Sequence, residues 1–177
     1  MRRHCCLFLE LSAGAVQWPE PSYASQPDAG EPMITVQHVL NQKPRQIHHI
    51  DPDATVRDGL KQMAEHNVGA LIVLDEGTIV GIMTERDYAR KIALMGRTSL
   101  DTPVRDIMSR RVIVVAPDQS VEESLAVMTA RTVRHLPVMD RNTVVGIVSI
   151  GDLVKAIIAD KEFIIEQLEH YIQGDQR

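Results

Sequence analysis

One sequence unit occurs twice in this chain. Residues 47–92 align with residues 112–157 at a shift of 65 positions, without a gap. Fifteen of the 46 aligned positions are identical. Unrelated segments of this length would match at only about three positions, given ordinary residue usage. We therefore interpret the body of the chain as a duplication, so its fold must consist of two similar halves.

Both copies show the same succession of patterns: strand, helix, strand, strand, helix. A β-branched run comes first and is ended by a proline, because proline cannot donate a hydrogen bond within a sheet. Thr55 and Ser120 follow as helix N-caps, each with an acidic residue three positions later. The apolar periodicity then predicts strands over 70–74, 78–83, 136–139 and 143–148, and closing helices over 85–95 and 150–159.

A single copy is too small to bury its apolar faces alone, since isolated cores are marginal at about 60 residues. We therefore expect an α/β (α+β) fold in which two β-α-β-β-α repeats pack sheet-to-sheet with pseudo-twofold symmetry. The expected boundaries are 33–97 for the first repeat, 98–159 for the second, and 160–177 for a C-terminal helix and tail. Such a pair has two equivalent clefts between its copies, where small ligands usually bind.

The first 32 residues differ in character from the duplicated body. They hold four of the nine prolines and show no long periodic pattern. Glu10 interrupts the apolar stretch that begins at Cys5, so the stretch is shorter than an export signal needs. Residues 1–32 are expected to be a disordered leader, or to lie upstream of the true start at Met33.

Composition excludes several classes of protein. No apolar run approaches the roughly 18 residues of a membrane span, so an integral membrane protein is excluded. A net charge of −5 and 3% aromatic residues make nucleic-acid binding unfavourable. Cys5 and Cys6 are the only cysteines, so the body has no thiol nucleophile or cysteine-rich zinc site, and the composition suits the cytoplasm. No metal site and no catalytic motif is predicted, so we do not expect an enzyme.

The most specific pattern ends the second hairpin strand of each copy. It is Gly, aliphatic, apolar, hydroxyl, two variable positions and Asp, over 81–87 and 146–152. Thr84 and Ser149 lie where the strand gives way to a helix, and Asp87 and Asp152 lie in the first helical turn. A carboxylate there can accept hydrogen bonds from two vicinal hydroxyls, as on a ribose. These residues could also be helix caps only, but their recurrence at one offset favours a binding role.

These features resemble a tandem pair of CBS (cystathionine-β-synthase) domains. The resemblance covers about residues 34–159 and includes the doubled motif, the N-caps and the strand start Arg134–Val138. It implies that adenosine-containing ligands bind in the clefts between the copies. Asp87 and Asp152 would then hold ribose hydroxyls, and Thr84 and Ser149 would fix ribose or phosphate. The resemblance also implies that the first strand of each copy surrounds the adenine, with Ile47, His48 and His49 in the first copy and Val112, Ile113 and Val114 in the second. Pro137, in the strand that begins at Arg134, is a further candidate binding residue.

A phosphate group needs cationic donors, and the two copies offer different ones. Arg86, Arg134 and His135 are the candidates, although Arg86 could equally be a solvated surface residue. The second copy has Gly151 in place of Arg86, and the first has Gly69-Ala70 in place of Arg134-His135. We therefore expect unequal sites, with one nucleotide bound well and the other weakly or not at all.

The expected function is that of a stand-alone regulatory module without a required cofactor. It would sense AMP, ADP, ATP or NAD and pass the signal to an unidentified effector protein. Two alternatives are a ligand-independent dimerisation or scaffold module and a binder of S-adenosylmethionine. Phe163, Ile164, Leu168 and Ile172 form an apolar stripe beyond the second repeat, which either packs on the body or makes a homodimer.

Overall fold

The structure is a computed structural model that describes residues 7–10, 33–43 and 47–174. The described elements follow one another in chain order: β1 Leu7–Glu10, α1 Val36–Asn41, β2 His49–Ile50, α2 Val56–His66, β3 Ala70–Asp75, β4 Thr78–Thr84, α3 Glu85–Tyr88, β5 Arg111–Val114, α4 Val121–Arg131, β6 His135–Asp140, β7 Thr143–Ser149 and α5 Ile150–Gly174. Both copies thus have the predicted order of strands and helices, in a mixed α and β fold.

The first repeat lies in a compact unit made of the described residues 7–10 and 47–114. β2 runs parallel to β3, and β3 pairs antiparallel with β4. Glu76 and Gly77 make the turn of this hairpin, both with positive φ. Thr55 caps α2 by accepting a hydrogen bond from the amide of Asp58 at 3.1 Å. The core of this unit centres on Leu71 and Met83, which are fully buried.

The second repeat lies in a unit made of the described residues 33–43 and 115–174. β6 and β7 form an antiparallel hairpin, and Val115 makes a parallel bridge to Val138 on its free edge. This bridge corresponds to the β2–β3 pairing of the first repeat. Ser120 begins α4 with a capping box completed by Glu123. The two hairpins and their caps are therefore equivalent, as the duplication predicted.

The segments that precede the aligned residues 47–92 and 112–157 each pack in the unit of the other copy. The amide of Val36 donates to Gln119 in the second-repeat unit, and the amide of Val104 donates to Ala54 in the first, both at 2.9 Å. Val36 and Val104 are fully buried. The compact units therefore do not coincide with the two sequence copies, because each core also takes in a fully buried valine from the segment before the other copy.

Two elements differ from the expected ones. The predicted helix over 85–95 is α-helical only over Glu85–Tyr88 and then widens to a π-helix over Ala89–Ala93, which leaves Ile92 buried. Within the expected disordered leader, β1 pairs antiparallel with the backbone of β5, from Leu7 opposite Val114 to Glu10 opposite Arg111. The rest of that leader lies outside the described residues. The C-terminal helix expected beyond the second repeat is part of α5, which runs without a break to Gly174.

Two further features of the described residues bear on function. None of their helices combines the length and the apolar character needed to cross a bilayer. They also contain no cluster of three or more His, Cys, Asp or Glu side chains suited to a metal ion.

The glycine of each doubled motif makes a close contact that predicts the effect of a methyl group. A Cβ at Gly146 would lie 2.6 Å from Cδ2 of Leu40, and one at Gly81 would lie 2.6 Å from Sδ of Met108. We expect Gly81→Ala to lower the free energy of unfolding by about 1–3 kcal/mol, because the backbone oxygen of Ser109 also lies 3.2 Å from the new Cβ, and Gly146→Ala to lower it less, because only the end of the Leu40 side chain must move. Urea denaturation measures this change.

Gly151 supplies the matched control. A Cβ there would meet only Oγ of Ser149, at 3.7 Å, in the first turn of α5. Gly151→Ala should leave stability unchanged or raise it by up to about 1 kcal/mol, since alanine is the better helix former. If all three variants unfolded alike, the close packing of Gly81 and Gly146 would not be a constraint on the fold.

Candidate functional site

In the first repeat, the hydroxyl and the acid of the motif form a reciprocal helix cap. The amide of Asp87 donates to Oγ1 of Thr84 at 3.2 Å. The amide and the hydroxyl of Thr84 both donate to Oδ2 of Asp87, at 3.1 and 2.6 Å. This capping box provides an acceptor for a backbone amide in the first turn of α3 and fixes one oxygen of the Asp87 carboxylate.

The other oxygen of Asp87 is also occupied. Lys91, one turn along the chain, donates to Oδ1 at 2.9 Å, and the hydroxyl of Ser109 donates to the same atom at 3.3 Å. The Lys91 ammonium also reaches the carbonyl of Ile107 at 2.5 Å. The Asp87 side chain is only 11% exposed. A ligand hydroxyl would have to displace one of these groups before it could bind Asp87.

In the second repeat, the equivalent carboxylate is differently held. The amide and the hydroxyl of Ser149 each donate to Oδ2 of Asp152 at 2.7 Å. The ammonium of Lys43, from the segment after α1, also donates to Oδ2 at 2.7 Å and to the carbonyl of Ile147 at 3.2 Å. The hydrogen bonds described for this carboxylate therefore fall on one oxygen, and its side chain is 22% exposed.

Asp152 is held in its charged form. Partial burial by itself would raise the pKa of Asp152, but the hydrogen bonds from Lys43 and from the backbone and hydroxyl of Ser149 outweigh it. The charge of Lys43 acts in the same direction, so the pKa of Asp152 lies below its usual value. The group is therefore an acceptor throughout the physiological pH range.

The hairpin places the predicted strand start beside the Asp152 motif. His135 lies opposite Ser149 in the β6–β7 ladder, and the amide of Ile150 donates to the carbonyl of Arg134 at 2.9 Å. The Arg134 side chain is exposed and that of His135 is half-buried. The corresponding position opposite Thr84 is Ala70, so the first repeat has a methyl group where the second has an imidazole.

Other predicted residues are less accessible. Pro137 is buried within β6, and Arg86 is half-buried in the single turn of α3. Val112 and Val114 are buried, so only Ile113 of this strand offers a partly exposed side chain. Val112 and Val114 pack in the core, so the adenine cradle at β5 stays a prediction that would use mainly the strand's backbone and Ile113.

The predicted residues before and in β2 form a different group. Ile47 is half-buried, and His48 stacks on His66 with ring centroids 4.0 Å apart. Burial, with the nearby charges of His66 and His49, lowers the pKa of His48. His49 lines an open cleft of about 450 Å³ together with Asp51, Asp58 and others, but no residue of the Asp87 motif lines it. The structure thus brings together Ser149, Asp152 and His135, and separately Thr84 and Asp87.

Three residues that complete the two motifs were not predicted from the sequence. Lys91 follows Asp87 by four positions, a spacing that joins charged side chains on a helix, and could have been found. Lys43 and Ser109 come from the segments that precede the repeats, so only the tertiary packing shows that they reach the acids.

The family assignment rests on two regions of the chain. The family model for the CBS domain matches residues 43–94 and 104–159, which is more than half of the sequence. The chain belongs to the CBS domain family. It is a CBS domain pair, and such pairs occur in regulatory and signal-transduction proteins.

Several known proteins resemble this CBS pair. A CBS-domain protein of Burkholderia ambifaria MC40-6, whose description assigns it to signal transduction, has 48% identity and a TM-score of 0.70, over 72% of this chain and 96% of that one. The mitochondrial CBS domain-containing protein CBSX3 of Arabidopsis thaliana is 43% identical over 127 residues, 69% of this chain and 62% of that protein. The chain thus spans less than two thirds of the Arabidopsis relative.

A third relative was solved with ligands. The CBS domain pair of protein MJ0100 is 27% identical, with a TM-score of 0.63, over 73% of this chain and 99% of that one. That domain pair is in complex with 5′-methylthioadenosine and S-adenosyl-L-methionine.

The pair between Lys43 and Asp152 predicts a pH-dependent contribution to stability. We expect Lys43→Met to lower the free energy of unfolding by up to about 1 kcal/mol near neutral pH. Because the folded-state pKa of Asp152 is depressed, this contribution is present above the unfolded pKa of about 4 and lost as pH falls through the folded value. Urea denaturation at about pH 7 and at about pH 3 measures the change.

Lys61 provides the control, since its pair with Glu65 is a surface contact at 3.8 Å. Lys61→Met should change stability little at either pH. A loss in Lys43→Met that persisted unchanged in acid would show that the lysine acts by packing and not through the charge of Asp152.

Proposed function

We propose that this CBS pair is a regulatory module that binds an adenosine-containing ligand at Asp152. The observation that carries the proposal is the partly exposed carboxylate of Asp152, whose described hydrogen bonds fall on Oδ2 alone. The 2′- and 3′-hydroxyls of a ribose are vicinal donors that suit such a carboxylate. The cap holds the acid in place before the ligand arrives, so binding requires little ordering.

Hydrogen-bond donors around this acid, two of them the cations Lys43 and Arg134, favour a phosphorylated ligand. Lys43 lies on Asp152, His135 lies opposite Ser149, and Arg134 is exposed at the start of the same strand. Ammonium and guanidinium groups form charge-assisted hydrogen bonds with phosphate. We therefore place AMP, ADP, ATP or NAD first among the ligands.

A second candidate is S-adenosylmethionine or a related thioadenosine. The observation in its favour is that the domain pair of MJ0100 is in complex with two such compounds. These ligands carry a ribose for Asp152 but no phosphate for Lys43 or Arg134. A direct comparison of their affinities with those of the nucleotides separates the two candidates.

We propose that the two motifs are unequal because of the groups that hold their acids. Both oxygens of Asp87 are engaged, by Thr84 on one side and by Lys91 and Ser109 on the other. Asp87 is thus a structural cap, whereas Asp152 is the ligand acceptor. The two sites were expected to be unequal because the copies differ in their arginines and histidines. The different partners of Asp87 and Asp152 are a second reason to expect this.

Regulation follows if the ligand binds two conformations of the chain with different affinity. A ligand at Asp152 meets Lys43, which lies in the segment that leads into the first repeat. We propose that the shift between these two conformations alters the contacts of the module with an effector protein. We also propose that the module has no catalytic activity of its own. A cytoplasmic location stays a prediction, since the name of the Arabidopsis relative places that protein in mitochondria.

Titration calorimetry of the full-length chain with AMP, ADP, ATP, NAD and S-adenosylmethionine tests the proposal. We expect one adenosine compound to bind with a stoichiometry of about one per chain. Asp152→Asn should weaken it by about 10–100-fold, because a hydrogen bond to a charged group contributes roughly 1.5–3 kcal/mol.

Asp87→Asn is the matched variant. It should leave the affinity within about twofold, yet lower the melting temperature, because it removes the charge that Lys91 pairs with from a side chain that is only 11% exposed. Loss of binding in Asp87→Asn with retention in Asp152→Asn would reverse the assignment. If no adenosine compound bound or raised the melting temperature, the ligand-independent scaffold would replace the sensor as the interpretation.

A further inference from the structure

The two motif acids are held in the same way by their own caps. In both copies the amide and the hydroxyl of the motif's threonine or serine donate to Oδ2 of the acid. Each acid also accepts from a segment that precedes one of the aligned copies. Ser109 supplies this donor to Asp87, and Lys43 supplies it to Asp152. The arrangement described at Asp152 is therefore largely present at Asp87.

The Lys91 ammonium is the donor that distinguishes Asp87 from Asp152. It lies 2.9 Å from Oδ1 of Asp87 and 2.5 Å from the carbonyl oxygen of Ile107. At the shift of 65 positions that relates the copies, Lys91 corresponds to Ala156, which is buried in α5. Of the donors described for Asp87, the Lys91 ammonium alone has no counterpart among those described for Asp152.

Lys91 lies in an unusual stretch of helix. It belongs to the π-helix Ala89–Ala93, whereas Ala156 lies in the α-helix α5. Single π-turns within helices occur frequently at functional sites. The Lys91 side chain is 36% exposed and that of Asp87 only 11%. The lysine therefore offers more of its surface to solvent than the acid that it bonds.

We propose that Lys91 closes a second ligand site at Asp87, and that it thereby limits the chain to one adenosine-containing ligand. The inference rests on the proposed function, because the closed site would take the same class of ligand as Asp152. The ammonium donates to a carboxylate oxygen and to a backbone carbonyl, and ribose hydroxyls donate to the same kinds of acceptor. Lys91 is thus a specificity-determining residue that occupies the site from within the chain.

Charge and tethering both favour Lys91 over a ligand at Asp87. The ammonium and the carboxylate attract each other as opposite charges, whereas a ribose hydroxyl is neutral. The low exposure of Asp87 also reduces the screening of this pair by salt. Lys91 is held by its own helix, so it loses less freedom on bonding to Asp87 than a free nucleotide does. A ligand that fills the site at Asp152 therefore does not displace Lys91.

Replacement of Lys91 by the residue that the second copy has at this position tests the inference. Titration calorimetry of the full-length chain compares the wild type with Lys91→Ala, and the probes are AMP, ADP, ATP, NAD and S-adenosylmethionine. We expect the stoichiometry to rise from about one to about two ligands per chain. In the Lys91→Ala background, Asp87→Asn should weaken the new site at least about tenfold, because the ligand then loses a charged acceptor. A stoichiometry that Lys91→Ala leaves unchanged, or a wild type that already binds two ligands, would overturn the inference.

Lys61→Ala is the matched control, because it removes the same charge from a surface pair with Glu65 at 3.8 Å. It should keep the stoichiometry and the affinity of the wild type, so a gain in both lysine variants would point to net charge and not to the closed site. Circular dichroism melting shows whether each variant folds. If Lys91→Ala does not fold, Lys91→Gln, which keeps a polar end without the charge, should gain the same second site.

The same titrations separate this inference from the proposed function. Binding to the wild type tests the site at Asp152, whereas the difference between Lys91→Ala and the wild type tests the role of Lys91. A wild type that binds none of the probes, with one ligand bound to Lys91→Ala and lost in Asp87→Asn, would refute the site at Asp152 and support the closed site. If neither the wild type nor Lys91→Ala bound any probe, both proposals would be wrong.

Discussion

The burial of apolar side chains from outside each repeat is the constraint on which this structure depends. A β-α-β-β-α unit of this size cannot bury both faces of its hairpin. Each core is completed by a preceding segment, which brings fully buried Val36 to the second repeat and Val104 to the first. The same segments carry Lys43 and Ser109 to the motif acids. The packing that stabilises the cores therefore also decides the electrostatics of the two candidate sites.

The hydroxyl-acid pair of the motif serves the fold and the proposed site at once. In both repeats the acid closes a capping box at the junction of strand and helix, so it would be retained for stability alone. The difference lies in what binds the remaining oxygen. Lys91 and Ser109 occupy it in Asp87, whereas Lys43 shares the already bonded oxygen of Asp152. Similar sequences thus hold the two acids differently, because both oxygens of Asp87 accept described hydrogen bonds whereas those described for Asp152 fall on Oδ2.

Much of the fold could be predicted from the sequence, because it depends on local pattern. The shift of 65 positions identified the repeats, and proline, hydroxyl and acidic residues marked the ends of their strands and helices. The crossed packing of the segments could not be predicted in this way. Val36 and Val104 align only at a shift of 68, over a short stretch with few identities. For the candidate site, the motif residues were evident, but the burial of Val112 and the partners of Asp152 depend on tertiary contacts.

The crossed segments also make one repeat an insertion within the other. Apart from β1, the unit that contains the first repeat is the continuous stretch 47–114, and the chain enters and leaves it through residues of the second unit. A protease or a truncation that works inward from either end of the duplicated body meets the outer unit first. The inner unit, apart from β1, is therefore the one that is continuous in sequence. A cut at the midpoint of the duplication would instead leave two fragments that each lack part of a core.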